Sequence, residues 1–448
     1  MSKSERIFTP CKIGFEIESL GPIRDSVIRF EPFLLFSGES NTAKSYTAMA
    51  VYYLFFMLNN EKIITELTLK LFDTKQIESD LRTKRTVESK LPEELLSELQ
   101  RLYNENIGRF MAYMLGNDDF SCKVKLTLKF IQTSDSTISL SLLKGKTGGF
   151  EIKFSARLPN DNWDYISENS QSVDTILENN LKFFVSGLCT RLLFKTSYRQ
   201  FLLPPARGAF SGLTSSVLKK FSGIGMYNEF LEGIDSVRFS SFDIFNEAME
   251  EQIKFINPLF EELLNGKIKV EKDSVSYTVT GSDEQIPLTA GSSSVKELFP
   301  LYLILNRVLM ERLSICIEEP EAHLHPELQR SAALLLVYIV NRGGFIQVTT
   351  HSDFFVNQVN NLLKLHFIKN KNSDEFQRVL EKTGIRKEFL LNPEDMGAYF
   401  FEKTKNHVRV RELNVSDKGM PMESFKRVYD QSVNETRSLR EALSDNEE

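Results

Sequence analysis

Residues 38–45 read GESNTAKS: a glycine, four residues, an alanine, then a lysine and a serine. With glycine at position 43 this would match the usual phosphate-binding loop. An apolar run, Phe33–Phe36, precedes it, and a helical pattern from Ser45 to Asn59 follows. In that setting the backbone N–H groups of Gly38, Glu39, Ser40, Asn41, Thr42 and Ala43 can cradle a β-phosphate at a helix N-terminus. Lys44 would reach the β- and γ-phosphates, and Ser45 would offer its hydroxyl to Mg²⁺. Ala43 fits on the expectation that its φ is negative, because glycine is required only where φ is positive. Without other signals the stretch is an ordinary strand–turn–helix.

A second constellation lies at residues 312–329, RLSICIEEPEAHLHPELQ. The strand Leu313–Ile317 runs straight into Glu318 and Glu319, and Pro320 ends it. Successive strand side chains point to opposite faces, so one carboxylate can enter a Mg²⁺ shell while the other faces an attacking water. Downstream, the apolar strand Phe345–Val348 ends in Thr349, Thr350 and His351. Three of the five histidines, His323, His325 and His351, fall in this window. A histidine at a strand's carboxyl edge can donate to a γ-phosphate, because ligands of open α/β sheets gather there. Upstream, Gly291–Ser294 opens an apolar helix, and Ser294-x-x-Glu297 has the form of a capping box. That helix end, at Ser292, Ser293 and Ser294, is either simply a well-capped start or, through its free N–H groups, a second anion site.

Such residues act together only if several strands end at one edge. The opening KIGFEIESLGPIRDSVIRFEPFLLFSG predicts three short strands broken at Gly21-Pro22 and Glu31-Pro32, within an N-terminal lobe of residues 1–60. Residues 61–118 are charged and heptad-like, which predicts a helical insertion. VKLTLKFIQ, STISLSLLKG and GFEIKFSARL alternate, predicting a three-stranded antiparallel sheet inside a β-rich part, residues 119–210. A second helical insertion is expected over 211–265, and the hairpin KIKVEKDSVSYTVTG opens a C-terminal lobe over 266–370. Residues 371–448 read as mixed α/β ending in a fraying acidic tail, REALSDNEE. That region and residues 61–118 are the expected docking surfaces, since neither is needed for the phosphate site.

The 448 residues, 41% hydrophobic and 26% charged, suit a soluble chain with a sizeable core. No run of 18 uncharged apolar residues occurs, and MSKSERIFTP has no signal-peptide core, so a cytoplasmic location without membrane contact is expected. Cys11, Cys122, Cys189 and Cys316 form no CxxC pair and no metal-ligand spacing. A net charge of −6 does not indicate a nucleic-acid coat, although a local basic patch would permit one.

In this order the four elements resemble the ABC-type ATPase heads of the SMC/RecF/OLD group. GESNTAKS is similar to Walker A, and SSSVKEL at 292–298 to the signature. CIEEPEAHLHP at 316–326 is similar to Walker B with its D-loop, and TTHS at 349–352 to the H-loop. EEPE followed by HLHP, with LPPARGAF at 203–210, resembles the OLD-like branch. Within it the resemblance is to antiphage-defence ATPases of the PARIS (AriA-like) and Septu (PtuA-like) systems. It implies an α/β P-loop NTPase fold of ABC type with an antiparallel β subdomain and helical insertions. ATP and Mg²⁺ are the implied cofactors.

The same resemblance implies roles. Lys44 holds phosphate, Ser45 and Glu318 serve Mg²⁺, Glu319 activates water and His351 senses the γ-phosphate. Ser292–Ser294 would close a neighbouring chain's site, so a homo-oligomer, at least a dimer with ATP sandwiched, is implied. Ala43 and Ser294 stand where the family has glycine, implying slow, switch-like hydrolysis. OLD nucleases carry a Toprim domain with Asp-x-Asp after the head, and the 97 residues following His351 contain no such pattern. The implied role is therefore a sensor that controls a separate effector protein, a toxin or nuclease. No Q-loop glutamine is recognisable, and Arg207 has no assigned role. A RecF/SMC-like DNA-repair ATPase and a scaffold that binds nucleotide without hydrolysis are the alternatives.

Overall fold

The computed structural model describes residues 11–130, 136–145, 148–158, 161–170, 172–194, 198–210, 223–238, 247–271 and 274–444. Its strands are, in chain order, β1 (Cys11–Leu20), β2 (Ile23–Arg29), β3 (Phe33–Gly38), β4 (Thr86–Lys90), β5 (Cys122–Phe130) and β6 (Thr137–Lys144). Then come β7 (Phe150–Leu158), β8 (Asp161–Ile166), β9 (Arg199–Leu203), β10 (Gly266–Val270) and β11 (Val275–Val279). The last are β12 (Gln285–Pro287), β13 (Leu313–Glu318), β14 (Phe345–Thr350), β15 (Met396–Lys403) and β16 (Val408–Glu412). The main sheet has the order β5-β1-β2-β16-β15-β3-β14-β13-β9. Its centre, β15-β3-β14-β13-β9, is parallel throughout.

That parallel centre explains the near-continuous apolar runs in the sequence, since such strands are covered on both faces. Along β3, Leu34 and Phe36 enter one core while Phe33 and Leu35 enter the other. The first core is filled by the helices Lys44–Asn59, Leu95–Leu115 and Val173–Phe194, where Phe55 and Phe194 stack at 4.7 Å. The second holds the helices Ser293–Leu305, Pro326–Asn341 and Asp353–Lys371. With β3, β13 and β14 parallel and paired Glu318 to Thr349 and Thr350 to Ser37, their carboxyl ends share one edge. Among the described residues no helix is long and apolar enough to cross a membrane.

Three expectations are corrected. The predicted three-stranded sheet divides, because β5 pairs with β1 in the main sheet while β4-β6-β7-β8 forms a separate one. β4 also interrupts the expected helical insertion over 61–118, whose helices are Glu61–Leu71, Thr74–Lys84 and Leu95–Leu115. Residues 371–448 are not peripheral, since β15 pairs along all of β3, from Met396 opposite Phe33 to Phe401 opposite Gly38. The chain is helical through Ser444, and residues 445–448, the end of the expected fraying tail, lie outside the described residues. The insertion over 211–265 supplies the helices Gly225–Arg238 and Glu247–Leu264, and residues 211–222 and 239–246 lie outside the described residues.

Candidate functional site

The loop from β3 turns sharply. Gly38 has φ +135°, and Glu39 N–H donates to Phe401 O at 3.2 Å. Asn41 and Ala43 adopt φ +59° and +60°. The negative φ expected of Ala43 is thus corrected: it occupies the left-handed region, which costs a residue with a Cβ roughly 1–2 kcal/mol. The helix Lys44–Asn59 begins directly after it. Lys44, 6% exposed, donates from Nζ to Glu39 O at 2.7 Å and to Gly38 O at 3.3 Å, with Thr42 Oγ1 at 3.4 Å. Burial lowers its pKa to about 8, against the opposing charges of Glu319, Glu321 and Glu318.

The acid pair diverges as strand geometry requires. Glu318, 3% exposed, accepts a hydrogen bond from Ser45 Oγ through Oε2, while its buried Oε1 has no hydrogen-bond partner among the described residues. Burial raises its pKa to about 7, opposed by the Ser45 hydrogen bond and assisted by the charge of Glu319. A buried, half-satisfied carboxylate next to a hydroxyl is a donor set for a hard divalent cation. Glu319 leaves the strand with φ +46° and faces a different space. Its N–H donates to Thr349 O at 2.9 Å, which ties the ends of β13 and β14 together.

A cleft of about 470 Å³ is lined by Pro22, by 40–46 of the loop and helix start, and by Glu319, Thr349 and His351. Partial burial and the charge of Lys44 lower the pKa of His351. Near neutral pH its imidazole is therefore uncharged and presents one N–H donor. The other two histidines of the window, His323 and His325, are exposed. Ser292, Ser293 and Ser294 are not among the residues that line this cleft. The expected capping box is corrected too. The cap is Ser292, whose Oγ accepts from Val295 N–H at 3.3 Å and lies 2.9 Å from Ser294 Oγ. Glu297 instead turns inward to Arg207 and Gly208.

Segments from the N-terminal third and from residues 313–351 thus deliver a phosphate-type loop, an acid pair and a histidine to one edge of a parallel sheet. The architecture is a mixed α/β fold whose parallel centre gathers these groups at one edge. Residues 222–356 match the family of the AAA ATPase domain. The matched stretch holds Ser292–Ser294, Glu318, Glu319 and His351, but not the loop 38–45. A search of curated proteins found no match. Solved structures that match include an SMC head bound to the C-winged-helix domain of ScpA, at 11% identity and a TM-score of 0.36, covering 90% of this chain and 97% of that one. The SMC head from Thermotoga maritima matches at 10% identity and 0.30, covering 90% and 98%. An Smc head with an extended coiled coil, bound to the C-terminal domain of ScpA from Pyrococcus furiosus, matches at 11% and 0.36, covering 94% and 98%.

Sequence reasoning passed over two positions here. Glu321 Oε1 accepts from Thr350 Oγ1 and His351 N–H, both at 2.7 Å, and from Ser352 N–H at 3.1 Å. It fastens the turn after the acid pair to the histidine turn, and the only signal was its place in EEPE. Phe401, whose backbone meets the phosphate loop, gave no signal, being one apolar residue in an unremarked strand.

Proposed function

We propose that the chain is a slow ATP hydrolase that works as a dimer and whose closed state is read by a separate effector polypeptide in antiphage defence. The observation that carries the reading is the cleft in which Lys44, Ser45, Glu319 and His351 meet while Ser292–Ser294 lie outside its lining. A triphosphate on the loop would present its γ-phosphate to Lys44 and His351. Ser45 and Glu318 would hold Mg²⁺, which supplies charge neutralisation between the β- and γ-oxygens. Among the described residues no group of three or more His, Cys, Asp or Glu could hold a metal ion, which suits a cation that takes its other ligands from phosphate and water. Glu319 accepts the proton of the attacking water. The bond from γ-phosphorus to the ADP oxygen breaks as the new P–O bond forms.

Two chains complete the site in this reading, the exposed helix end at Ser292–Ser294 of one meeting the γ-phosphate of the other. Ser294→Arg is expected to keep ATP affinity within about threefold and to abolish ATP-dependent dimerisation, since the added side chain fills the closing surface. Light scattering with and without ATP, in a hydrolysis-deficient background, checks this. Dimers that persist in Ser294→Arg would place the closing surface elsewhere.

Binding of ATP with Mg²⁺ should be tightest between about pH 7 and 8. Below about 7, protons compete with Mg²⁺ for Glu318; above about 8, Lys44 loses the charge that attracts phosphate. Each limb approaches roughly tenfold weakening per pH unit. Nucleotide affinity measured from pH 6 to 9 tests both limbs, and a flat profile would show that neither group changes its charge over that range.

The effector reading rests on what an ATPase head needs. Opening and closing control a partner only if the partner binds the two forms differently. A coupling of about 1–3 kcal/mol gives roughly 5- to 150-fold control. Co-purification of the neighbouring gene product with wild type, Lys44→Ala and Glu319→Gln should give unequal recovery or unequal effector activity. Equal values in all three refute nucleotide-gated control, and recovery of duplex DNA instead would favour a repair ATPase.

A further inference from the structure

We propose that Arg207 is a positioning residue that locks the helix bearing Ser292–Ser294 to the strand end bearing Glu318 and Glu319, so that docking of a second chain on that helix sets the acid pair of the same chain. This rests on the two-chain reading above. Arg207 has 0% exposure and lies in the turn after β9, the strand next to β13. Its Nε donates to the backbone O of Glu297 at 3.1 Å and is 3.4 Å from Glu297 Oε2. One Nη donates to the backbone O of Glu318 at 2.8 Å and to Pro204 O at 3.3 Å. One guanidinium therefore touches the first turns of the helix Ser293–Leu305 and the residue that holds Ser45.

The local backbone is built for this contact. Ala206 takes φ +57°, a conformation seldom adopted by alanine, to turn the chain inward. Gly208 N–H donates to Glu297 Oε1 at 3.0 Å, and a Cβ on Gly208 would come within 2.8 Å of that oxygen. The far end of the helix is clamped too. Gln252 donates to Leu305 O at 2.7 Å and Val308 O at 2.9 Å, and accepts from Met310 N–H at 2.8 Å. A helix held at both ends shifts as a body. Displacement of Ser292–Ser294 by a neighbour's phosphate is then felt at Glu297, through Arg207 at the Glu318 carbonyl, and at the adjoining Glu319. A planar fork that holds three carbonyls and a carboxylate at fixed angles can transmit such a shift, whereas a lysine point charge cannot.

The test compares Arg207→Lys and Glu297→Gln with wild type in melting temperature, equilibrium ATP affinity, kcat and the Hill coefficient of hydrolysis. Expected are folded variants with ATP affinity within about threefold of wild type, kcat lowered at least about tenfold, and a Hill coefficient that falls from above 1 to 1. A folded Arg207→Lys with wild-type kcat and Hill coefficient overturns the proposal. So does a loss of kcat matched by equal losses of ATP affinity and melting temperature, which marks a merely structural role. If the single variants unfold, the double variant Arg207→Met with Glu297→Leu leaves no buried charge unpaired. Wild-type kcat and cooperativity there overturn the proposal, and low kcat with intact ATP affinity supports it. Wild-type protein that binds ATP yet stays monomeric and non-cooperative sinks the two-chain reading itself, before any variant is compared.

Discussion

Glu319→Gln is expected to bind ATP as wild type does and to hydrolyse it about a hundred- to ten-thousandfold more slowly, the span typical of a lost general base. The amide keeps the size and shape of the side chain and cannot take a proton from water. Glu319 lines the cleft without belonging to the loop 38–45 proposed to hold phosphate, so removing its charge is expected to spare binding. Lys44→Ala should do the opposite. The residue is 6% exposed, and its ammonium sits inside the loop on the Glu39 carbonyl. A charge-assisted hydrogen bond contributes about 1.5–3 kcal/mol, and losing those to two phosphates should leave affinity too weak to titrate. Equilibrium nucleotide binding and single-turnover hydrolysis separate the cases. Undiminished turnover in Glu319→Gln would move the base elsewhere, with Glu318 the first alternative.

The parts legible in the sequence were those where chemistry and strand ends coincide. An apolar run entering GESNTAKS, EEPE or TTHS announces both an element and its function, because a buried parallel strand needs apolar residues to its last position. Glu318 and Glu319 illustrate this: adjacent in sequence, one is 3% exposed against Ser45 and the other opens into the cleft. Long-range pairing was not legible. VKLTLKFIQ alternates as well as STISLSLLKG, yet β5 pairs with β1, more than a hundred residues earlier, and nothing in its composition names that partner. The role of Arg207 was not legible for a related reason. Its role depends on Glu297 and the Glu318 carbonyl, 90 and 111 residues away, which only the fold brings together. The sign of φ at Ala43 was likewise set by the loop and not by the residue, so a side chain that prefers negative φ sits at +60°.

The same long-range dependence gives the second large effect, at Gly38. Its φ of +135° is one that a residue with a Cβ rarely adopts. A Cβ there would lie 2.3 Å from Phe401 O and 2.7 Å from Phe401 N, both backbone atoms of the paired strand. Neither can rotate away. Gly38→Ala must therefore part β15 from β3 where the phosphate loop starts, breaking the bond from Glu39 N–H to Phe401 O. Backbone strain of about 1–3 kcal/mol and a lost hydrogen bond of about 1 kcal/mol give an expected destabilisation of about 2–4 kcal/mol. ATP binding should fail with it, because the cradle and the strand junction are one structure. Gly384→Ala is the control. Gly384 also has a positive φ, +68°, but a Cβ there would meet nothing within 4 Å. It carries the backbone penalty alone, roughly 1–2 kcal/mol, and should leave ATP binding untouched. Chemical denaturation paired with nucleotide titration distinguishes the two. If Gly38→Ala loses no more stability than Gly384→Ala and still binds ATP, then β15 is not what shapes the loop.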